Sequence, residues 1–236
     1  MSSPTVCRVS QHEELFSFAA SAFFDAIAEA GQSRIVVALP GGRSIQPFLT
    51  QLVREAKTLP KALWARLEFF MVDERVVALD HPESNFRLVR EHLAPLVDAG
   101  VIFEKQFHPF HMDLSAADFG AARYTEELNS LGGRFHVAML GVGEDAHVGA
   151  LFPEHHSVKN SSPGYLSLTD SPKPPPHRVT ASRALLASSS MLGALVLGEA
   201  KRQALELIVA PQGTTEACPA RIVYEVPSSY VFTDLA

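Results

Sequence analysis

Short apolar runs alternate with longer amphipathic stretches along this chain, and the two patterns predict strands and helices respectively. In most of the short runs apolar residues fill both alternating positions, which is typical of strands covered on both faces. The runs with strand composition are RIVVALP (34–40), LEFFMVD (67–73), FHVAMLG (135–141), HRVTAS (177–182), GALVLG (193–198) and YVFTD (230–234). The stretches with helical spacing are LFSFAASAFFDAIAEA (15–30), FLTQLVREA (48–56), FRLVREHLAPLV (86–97), AADFGAARYTEELNSL (116–131) and KRQALELIVA (201–210).

This alternation predicts an α/β fold built on a mostly parallel sheet with helices on both faces. Right-handed crossovers would place the loops that follow the strands at one edge of the sheet, where ligands usually bind. The Pro- and Ser-rich segment SSPGYLSLTDSPKPPPH (161–177) is expected to be a surface excursion rather than a domain linker. No internal repeat is apparent, and we expect residues 1–236 to form one domain.

Composition narrows the class of protein. The 47% of hydrophobic residues argues against a disordered chain, and the formal net charge of −6 argues against bulk attraction to nucleic acid or an anionic membrane. An anionic ligand would therefore need a local cluster of donors. The spacing of Cys7 and Cys218 matches no metal or disulfide pattern. No signal peptide is evident, and the most apolar early stretch is too short to cross a membrane. We therefore expect a cytoplasmic protein.

Unusual residues follow three of the predicted strands, and the first set is in LPGGRSIQP (39–47). Gly41 and Gly42 allow a sharp turn with outward N–H groups, and a helix N-terminus behind them favours an anion. Arg43 and Ser44 add donors. The spacing fits neither a Walker A loop nor a dinucleotide fingerprint, and an ordinary strand–helix turn is the alternative.

The second set ends the predicted strand 67–73, where the chain reads VDERVV (72–77). Asp73 and Glu74 come first, and Arg75 would be a permanent cation at the edge of the sheet, suited to a phosphate or carboxylate. A structural network of ion pairs would explain the same residues.

The third set follows the strand 135–141. Gly141 and Gly143 loosen the backbone, so that Asp145 and His147 can project over the edge of the sheet. A histidine between apolar walls can transfer protons near neutrality, and an aspartate can orient it. Alternatively, Asp145 caps the next helix and His147 is a core histidine.

The other candidate residues, taken singly, are weaker indications of a functional site. Lys201 follows the strand 193–198 and could reach the same edge, although alone it reads as a solvated helix lysine. We expect no metal site, because Pro109 breaks the helix that would align His108 with His111 and no third ligand is evident; the pair His155–His156 is a weaker candidate still.

Five motifs occur in order over about four fifths of the chain: LPGGRS, DERVV…HPESN, LGVGEDAHVGALFP, PPPHRVT and LGEAKRQAL. Each is modest alone, but the ordered set closely resembles the 6-phosphogluconolactonase family, in the superfamily that also contains glucosamine-6-phosphate deaminase. The resemblance implies a three-layer, Rossmann-like fold and hydrolysis of 6-phospho-D-glucono-1,5-lactone to 6-phosphogluconate. It also implies a small phosphorylated sugar lactone as the only partner, and neither metal nor cofactor.

The resemblance also implies functional residues. The candidates are, for catalysis, His147 and Asp145 and, for substrate binding, Gly41, Gly42, Arg43, Ser44, Asp73, Arg75, Asn85, Arg178 and Lys201. The glycine turn would cradle the phosphate, Arg75 and Lys201 would add charge to it, and His147 would lie beside the lactone ring. No firm role follows for Asn85 or Arg178. Neutral His147 would take a proton from the attacking water and return it to the ring oxygen.

The chain departs from the family pattern at Ala146, where Asp-Gly-His is usual. If that position has a positive φ, the alanine is strained and the placement of His147 depends on how the loop relaxes. The phosphate loop also has Arg43-Ser44 where many relatives have Ser-Thr, which keeps the donors.

Two other functions remain possible. A sugar-phosphate isomerase or deaminase would share the phosphate loop, but deaminases typically have Asp-Glu-Tyr in place of Asp73-Glu74-Arg75 and a Phe-Asn-Glu-Pro stretch in place of Ala150-Leu151-Phe152-Pro153. A non-catalytic sugar-phosphate sensor often adds a DNA-binding segment, and no basic helix-turn-helix extension is visible here.

Overall fold

The computed structural model describes residues 3–236. Its strands are β1 (Thr5–Arg8), β2 (Ile35–Leu39), β3 (Leu67–Met71), β4 (Asp73–Arg75), β5 (Val137–Gly141), β6 (Tyr165–Leu168), β7 (Arg178–Ala181), β8 (Met191–Val196) and β9 (Ser228–Thr233). Its α-helices are α1 (His12–Glu29), α2 (Gln46–Glu55), α3 (Lys61–Trp64), α4 (Asn85–Asp98), α5 (Ala121–Asn129), α6 (His156–Lys159), α7 (Arg183–Ala187) and α8 (Arg202–Val209). Short 3₁₀ helices cover Glu104–Gln106, Glu199–Lys201 and Pro219–Tyr224.

A six-stranded sheet forms the middle layer, in the order β1-β9-β8-β5-β2-β3, and every neighbouring pair is parallel. All five residues of β2 are buried. Ile35 and Val37 pack into the cluster that includes α1, α2 and α4, whereas Val36 and Ala38 pack into the cluster on the other face. This confirms the predicted α/β fold with helices on both faces, and it explains why the strands read as unbroken apolar runs.

A second, antiparallel sheet has the order β4-β7-β6 and stands beside the edge where the main strands end. The chain changes sheets at Val72, whose N–H donates to Leu39 O (2.9 Å) while its carbonyl accepts from Ala181 N–H (2.7 Å). The run 67–73 is therefore not one strand. The run 177–182 does contain a strand, but that strand is antiparallel and belongs to this small sheet.

Two other predictions from the sequence need correction. Helix α5 begins only at Ala121, because Phe119 and Gly120 have φ of +55° and +96°, which interrupt the helical pattern predicted over 116–131. The segment 161–177 is not wholly a surface excursion, since it contains β6. The short strand β1 was missing from the predicted elements. Within residues 3–236, no helix combines the length and the apolar character needed to cross a bilayer.

Candidate active site

A cleft of about 800 Å³ opens where the strands of the main sheet end. The following residues predicted from the sequence line it: Gly41, Gly42, Arg43, Ser44, Asp73, Arg75, Asn85, His147, Arg178 and Lys201. Asp145 is the one predicted residue that does not line it, and it contacts His147 from behind. The loops that follow β2, β5 and β8 supply much of this lining, as the parallel topology predicts, while Asp73, Arg75 and Arg178 come from strands β4 and β7 of the small antiparallel sheet.

The glycine turn after β2 forms one wall of the cleft. Helix α2 begins behind it without a side-chain cap, but Gln46 N–H donates to Arg43 O (3.4 Å) and Pro47 has no N–H, so the donors open to an anion are mainly the N–H groups of the turn itself. Gly41 is required here, because a Cβ at that position would lie 1.7 Å from Asn85 Oδ1. Asn85 in turn donates from Nδ2 to Asp73 O (2.8 Å), so this buried amide holds the glycine turn against the start of β4.

Glu74 fixes the start of helix α4, which carries Asn85. Its carboxylate accepts the backbone N–H groups of Arg75 (2.7 Å), Asn85 (2.8 Å) and Phe86 (2.8 Å), and the hydroxyl of Ser84 (3.1 Å). Burial raises the pKa of Glu74, while the three backbone N–H groups oppose that rise. Hydrogen bonds from neutral groups, and not the ion pairs of the alternative reading, thus explain Glu74, while its neighbours Asp73 and Arg75 line the cleft.

His147 and Asp145 form a close pair over the end of β5. Nδ1 of His147 lies 2.5 Å from Asp145 Oδ1, which leaves Nε2 as the free ring nitrogen of a half-buried imidazole in the cleft wall. Burial lowers the pKa of His147, and the hydrogen bond and charge of Asp145 only partly oppose this. The imidazole is therefore neutral near pH 7, as a general base must be.

The carboxyl group of Asp145 is ionised near neutral pH. Burial acts to raise the pKa of its carboxyl, but the hydrogen bonds from His147 and Lys173 outweigh this and lower that pKa to about 2. No helix follows directly, so Asp145 is not a helix cap. His147 has 21% of its side chain exposed and is not a core histidine. Gly143 leaves room for the pair, since a Cβ there would lie 2.0 Å from His147 Nδ1.

Ala146 has a φ of +64° and is fully buried. The residue that replaces the usual glycine is therefore in the left-handed region, which is strained for alanine. Its methyl group packs into the core and its carbonyl accepts from Ala220 N–H (3.0 Å), so packing holds the loop in place. The pair of Asp145 and His147 forms despite the substitution.

A strap, which we define as residues 170–177, crosses the cleft beside this pair. Lys173 lies on it, with Nζ 3.2 Å from Asp145 Oδ2, and it lines the cleft. Arg178 holds the strap by donating to Pro174 O (2.7 Å) and Pro175 O (3.0 Å). Lys173 was missed in the sequence because the whole segment reads as polar surface.

Five basic side chains line the cleft together with four carboxylates. The basic side chains are Arg43, Arg75, Lys173, Arg178 and Lys201, and the acidic ones are Asp73, Glu144, Glu199 and Asp234. Arg178 is buried 3.8 Å from Asp73, and Arg75 donates from Nη1 to Glu83 O (2.7 Å) while its Nε is buried without a hydrogen-bond partner. Burial lowers the pKa of Lys201. This concentration of positive charge, in a chain of net charge −6, is the local cluster of donors that an anionic ligand needs.

A second histidine–aspartate pair, which sequence patterns did not indicate, lines the cleft away from His147. His12 Nε2 lies 2.8 Å from Asp234 Oδ2, and Asp234 Oδ1 accepts from Gly198 N–H (2.8 Å). Both side chains line the cleft, although 222 residues separate them along the chain.

A histidine–aspartate pair and a glycine turn with basic neighbours, at the carboxyl edge of a parallel sheet, are typical of α/β enzymes that act on small anionic ligands. The particular family follows from the sequence, which matches the family described as glucosamine-6-phosphate isomerases/6-phosphogluconolactonase over residues 10–231. The chain belongs to that family.

Relatives in the family bear the lactonase name. A 6-phosphogluconolactonase of Borreliella burgdorferi is 31% identical over 200 residues, which cover 84% of this chain and 83% of that protein. Another, of Streptomyces coelicolor, is 30% identical over 229 residues, covering 89% of this chain and 84% of the other.

Solved structures agree on the fold. The crystal structure of 6-phosphogluconolactonase from Thermotoga maritima superposes with a TM-score of 0.79 at 25% identity, covering 98% of this chain and 99% of the other. A monomeric glucosamine-6-phosphate deaminase gives a TM-score of 0.78 at 21% identity, with coverage of 97% and 96%. The Rossmann-like architecture is therefore common to both activities, and the residues of the cleft must discriminate between them.

Proposed function

We propose that this chain hydrolyses 6-phospho-D-glucono-1,5-lactone to 6-phospho-D-gluconate, a reaction of the oxidative pentose phosphate pathway. The observation that carries the proposal is that a neutral imidazole, oriented by a carboxylate, shares one cleft with an uncapped, cation-flanked glycine turn. The lactonase names of the relatives support it. We place the whole reaction in one domain of residues 1–236, acting in the cytoplasm on a small phosphorylated sugar lactone, without nucleic acid or membrane.

The glycine turn holds the phosphate in this proposal. Backbone N–H groups of the turn, from Gly41, Gly42, Arg43 and Ser44, surround its oxygens with the N-terminus of α2 behind them. Arg75 and Lys201 add charge from the neighbouring loops, while Asn85 holds the turn and Arg178 with Asp73 holds the opposite wall. Fixing the phosphate several bonds from the ring orients C1 towards the attacking water.

His147 acts as both base and acid. Its Nε2 takes a proton from water as the water oxygen bonds to C1, and the imidazolium then gives that proton to the ring oxygen as the C1–O bond breaks. Asp145 keeps the proton of Nδ1 in place and stabilises the imidazolium. Lys173 restrains Asp145 from the strap. Acid–base catalysis of this kind contributes roughly 10²–10⁴-fold.

The cleft disfavours the deaminase alternative. The ring of Phe152 packs 4.9 Å from the ring of His147, at the place where deaminases have a glutamate that assists ring opening. A phenyl ring can neither accept nor donate a proton. Arg75 likewise stands where deaminases have a tyrosine.

Replacement of His147 tests the role of the imidazole. His147→Asn should lower kcat by about 10²-fold or more while binding 6-phosphogluconate with little change, because the phosphate contacts remain. His111→Asn removes an exposed histidine outside the cleft and should keep the wild-type rate. Initial rates must be corrected for spontaneous lactone hydrolysis. An unchanged kcat in His147→Asn would remove this residue from the proposed role.

Two assays separate the alternatives. Ammonia release from glucosamine 6-phosphate at a rate above that of lactone hydrolysis would establish the deaminase instead. A protein that binds 6-phosphogluconate but hydrolyses the lactone no faster than the spontaneous background would be a sensor.

A further inference from the structure

Three potential metal ligands converge outside the cleft, where the start of α6 meets the first residue of the strap. His155 and His156 are consecutive, and Asp170 reaches them from the end of β6. One ligand atom from each of the three lies within 4.8 Å of the others, and no other trio of His, Cys, Asp or Glu within residues 3–236 comes this close. Asp170 lies 14 residues beyond His156 along the chain, so no spacing in the sequence marks it as a third ligand of this histidine pair.

The spacing of these atoms fits a bound ion. A metal with imidazole and carboxylate ligands at about 2.0–2.2 Å places neighbouring ligand atoms about 3.0–3.5 Å apart. Nε2 of His156 lies 3.0 Å and 3.1 Å from the two carboxylate oxygens of Asp170, and Nε2 of His155 lies 3.6 Å from Oδ2. Small adjustments of exposed side chains would therefore complete the site.

The surroundings of the three ligands offer a proton acceptor and access from solvent. In this structure His155 Nδ1 accepts the N–H of Ser157 (3.2 Å) and lies 3.0 Å from the buried hydroxyl of the same residue. When Nε2 binds a metal, Nδ1 carries the proton, so the ring turns from that N–H and donates to the hydroxyl oxygen. The side chains of His156 and Asp170 are 61% and 58% exposed, so an ion can enter from solvent and keep water on its remaining positions.

We propose that His155, His156 and Asp170 form a binding site for one divalent cation of the zinc type. Two imidazoles with one carboxylate suit Zn²⁺, Co²⁺, Ni²⁺ or Cu²⁺, and they do not suit Mg²⁺ or Ca²⁺, which prefer oxygen ligands throughout.

A bound ion would restrain the strap. Asp170 is its first residue, and Lys173, three residues later, contacts Asp145. The ring of His155 also packs against Phe152, which contacts the ring of His147. The ion would thus join the start of α6 to the strap at a point separate from the proposed reaction, which requires no metal.

Calorimetric titration of the full chain with ZnCl₂ at pH 7.5 tests the site. The wild type should bind one equivalent, and His156→Ala and Asp170→Asn should each weaken binding by about tenfold or more, because each removes one of three protein ligands.

Two control variants locate the ion. His111→Ala removes an exposed histidine elsewhere, and His147→Asn removes the imidazole of the cleft; both should keep the wild-type stoichiometry and affinity. The visible spectrum of Co²⁺ bound to the wild type, with nitrogen ligation, supplies a readout that depends on no variant. Absence of stoichiometric binding, unchanged affinity in both ligand variants, or loss of binding in either control would overturn the proposal. None of these results bears on the lactonase activity.

Discussion

Replacing Glu74 with glutamine tests how the fold supports the cleft. The change is nearly isosteric, yet all four partners of the carboxylate are hydrogen-bond donors: three backbone N–H groups and the hydroxyl of Ser84, which itself accepts from Arg87 N–H. A glutamine amide has one oxygen and one NH₂ group. Whichever way the amide is turned, its NH₂ group faces at least one backbone N–H: those of Arg75 and Asn85 on one side, or that of Phe86 on the other, where the Ser84 hydroxyl can turn to accept.

The structure sets the size of the effect. Oε1 accepts from the N–H groups of Arg75 and Asn85, and Oε2 accepts from Phe86 N–H and the Ser84 hydroxyl, so Glu74→Gln leaves at least one backbone N–H without an acceptor. A buried donor without a partner costs about 1–3 kcal/mol, and we expect a loss of that size in the free energy of unfolding.

Urea unfolding at pH 7 followed by circular dichroism measures this loss. Glu83→Gln is the matched control, because it makes the same change of charge on an exposed side chain in the same loop and should alter stability by no more than about 0.5 kcal/mol. KM for the lactone should also rise in Glu74→Gln, since α4 carries the amide that holds the glycine turn. A destabilisation equal to that of the control would refute the argument that four donors require a carboxylate.

Three further predictions concern the pH dependence of stability and the loop of the catalytic pair. Burial lowers the pKa of His108, but the hydrogen bonds to Glu68 (2.9 Å) and Glu127 (2.6 Å) outweigh it and raise that pKa. The stability that protonation of His108 contributes is thus fully present below the pKa of about 6.5 in the unfolded chain, and it is lost as pH rises through the higher pKa of the folded protein. The difference in unfolding free energy between wild type and His108→Gln should therefore shrink as the pH is raised from 5 to 9. A difference that stays constant over this range would contradict the prediction. Ala146→Gly should relieve about 1–2 kcal/mol of backbone strain. It also loses the burial of a methyl group (about 0.8 kcal/mol) and adds the conformational entropy of glycine to the unfolded chain (about 0.5–1 kcal/mol). The free energy of unfolding, measured with urea, should therefore change by no more than about 1 kcal/mol. Asp145→Asn should lower kcat by about 10²-fold or more with little change in KM, because the imidazole of His147 loses the carboxylate that orients it and stabilises its charge. Steady-state rates near those of the wild type would show that Asp145 does not support His147 in this way.

The sequence was sufficient to predict five of the six strands of the main sheet, all but the short β1. Strands buried on both faces read as continuous apolar runs, so their carboxyl ends could be placed, and parallel topology then brings the residues after them to one edge. Arg43, Arg75 and His147 could be predicted to lie together for this reason, although their distances could not.

The small sheet and the strap could not be derived in the same way. The turn from one sheet to the other at Val72 depends on tertiary hydrogen bonds, so the apolar run continues through it without a signal. Lys173 lies in a polar, Pro-rich segment whose path is set by Arg178. The start of α5 depends on the positive φ of Phe119, a conformation that side-chain patterns do not reveal.

A crystal structure of the chain with 6-phospho-D-gluconate tests the central claim most directly. The account predicts the phosphate against the backbone N–H groups of Gly41–Ser44, with the C1 carboxylate within about 3.5 Å of His147 Nε2. A phosphate held elsewhere, or a C1 carboxylate beyond the reach of one bridging water from that nitrogen, would contradict it.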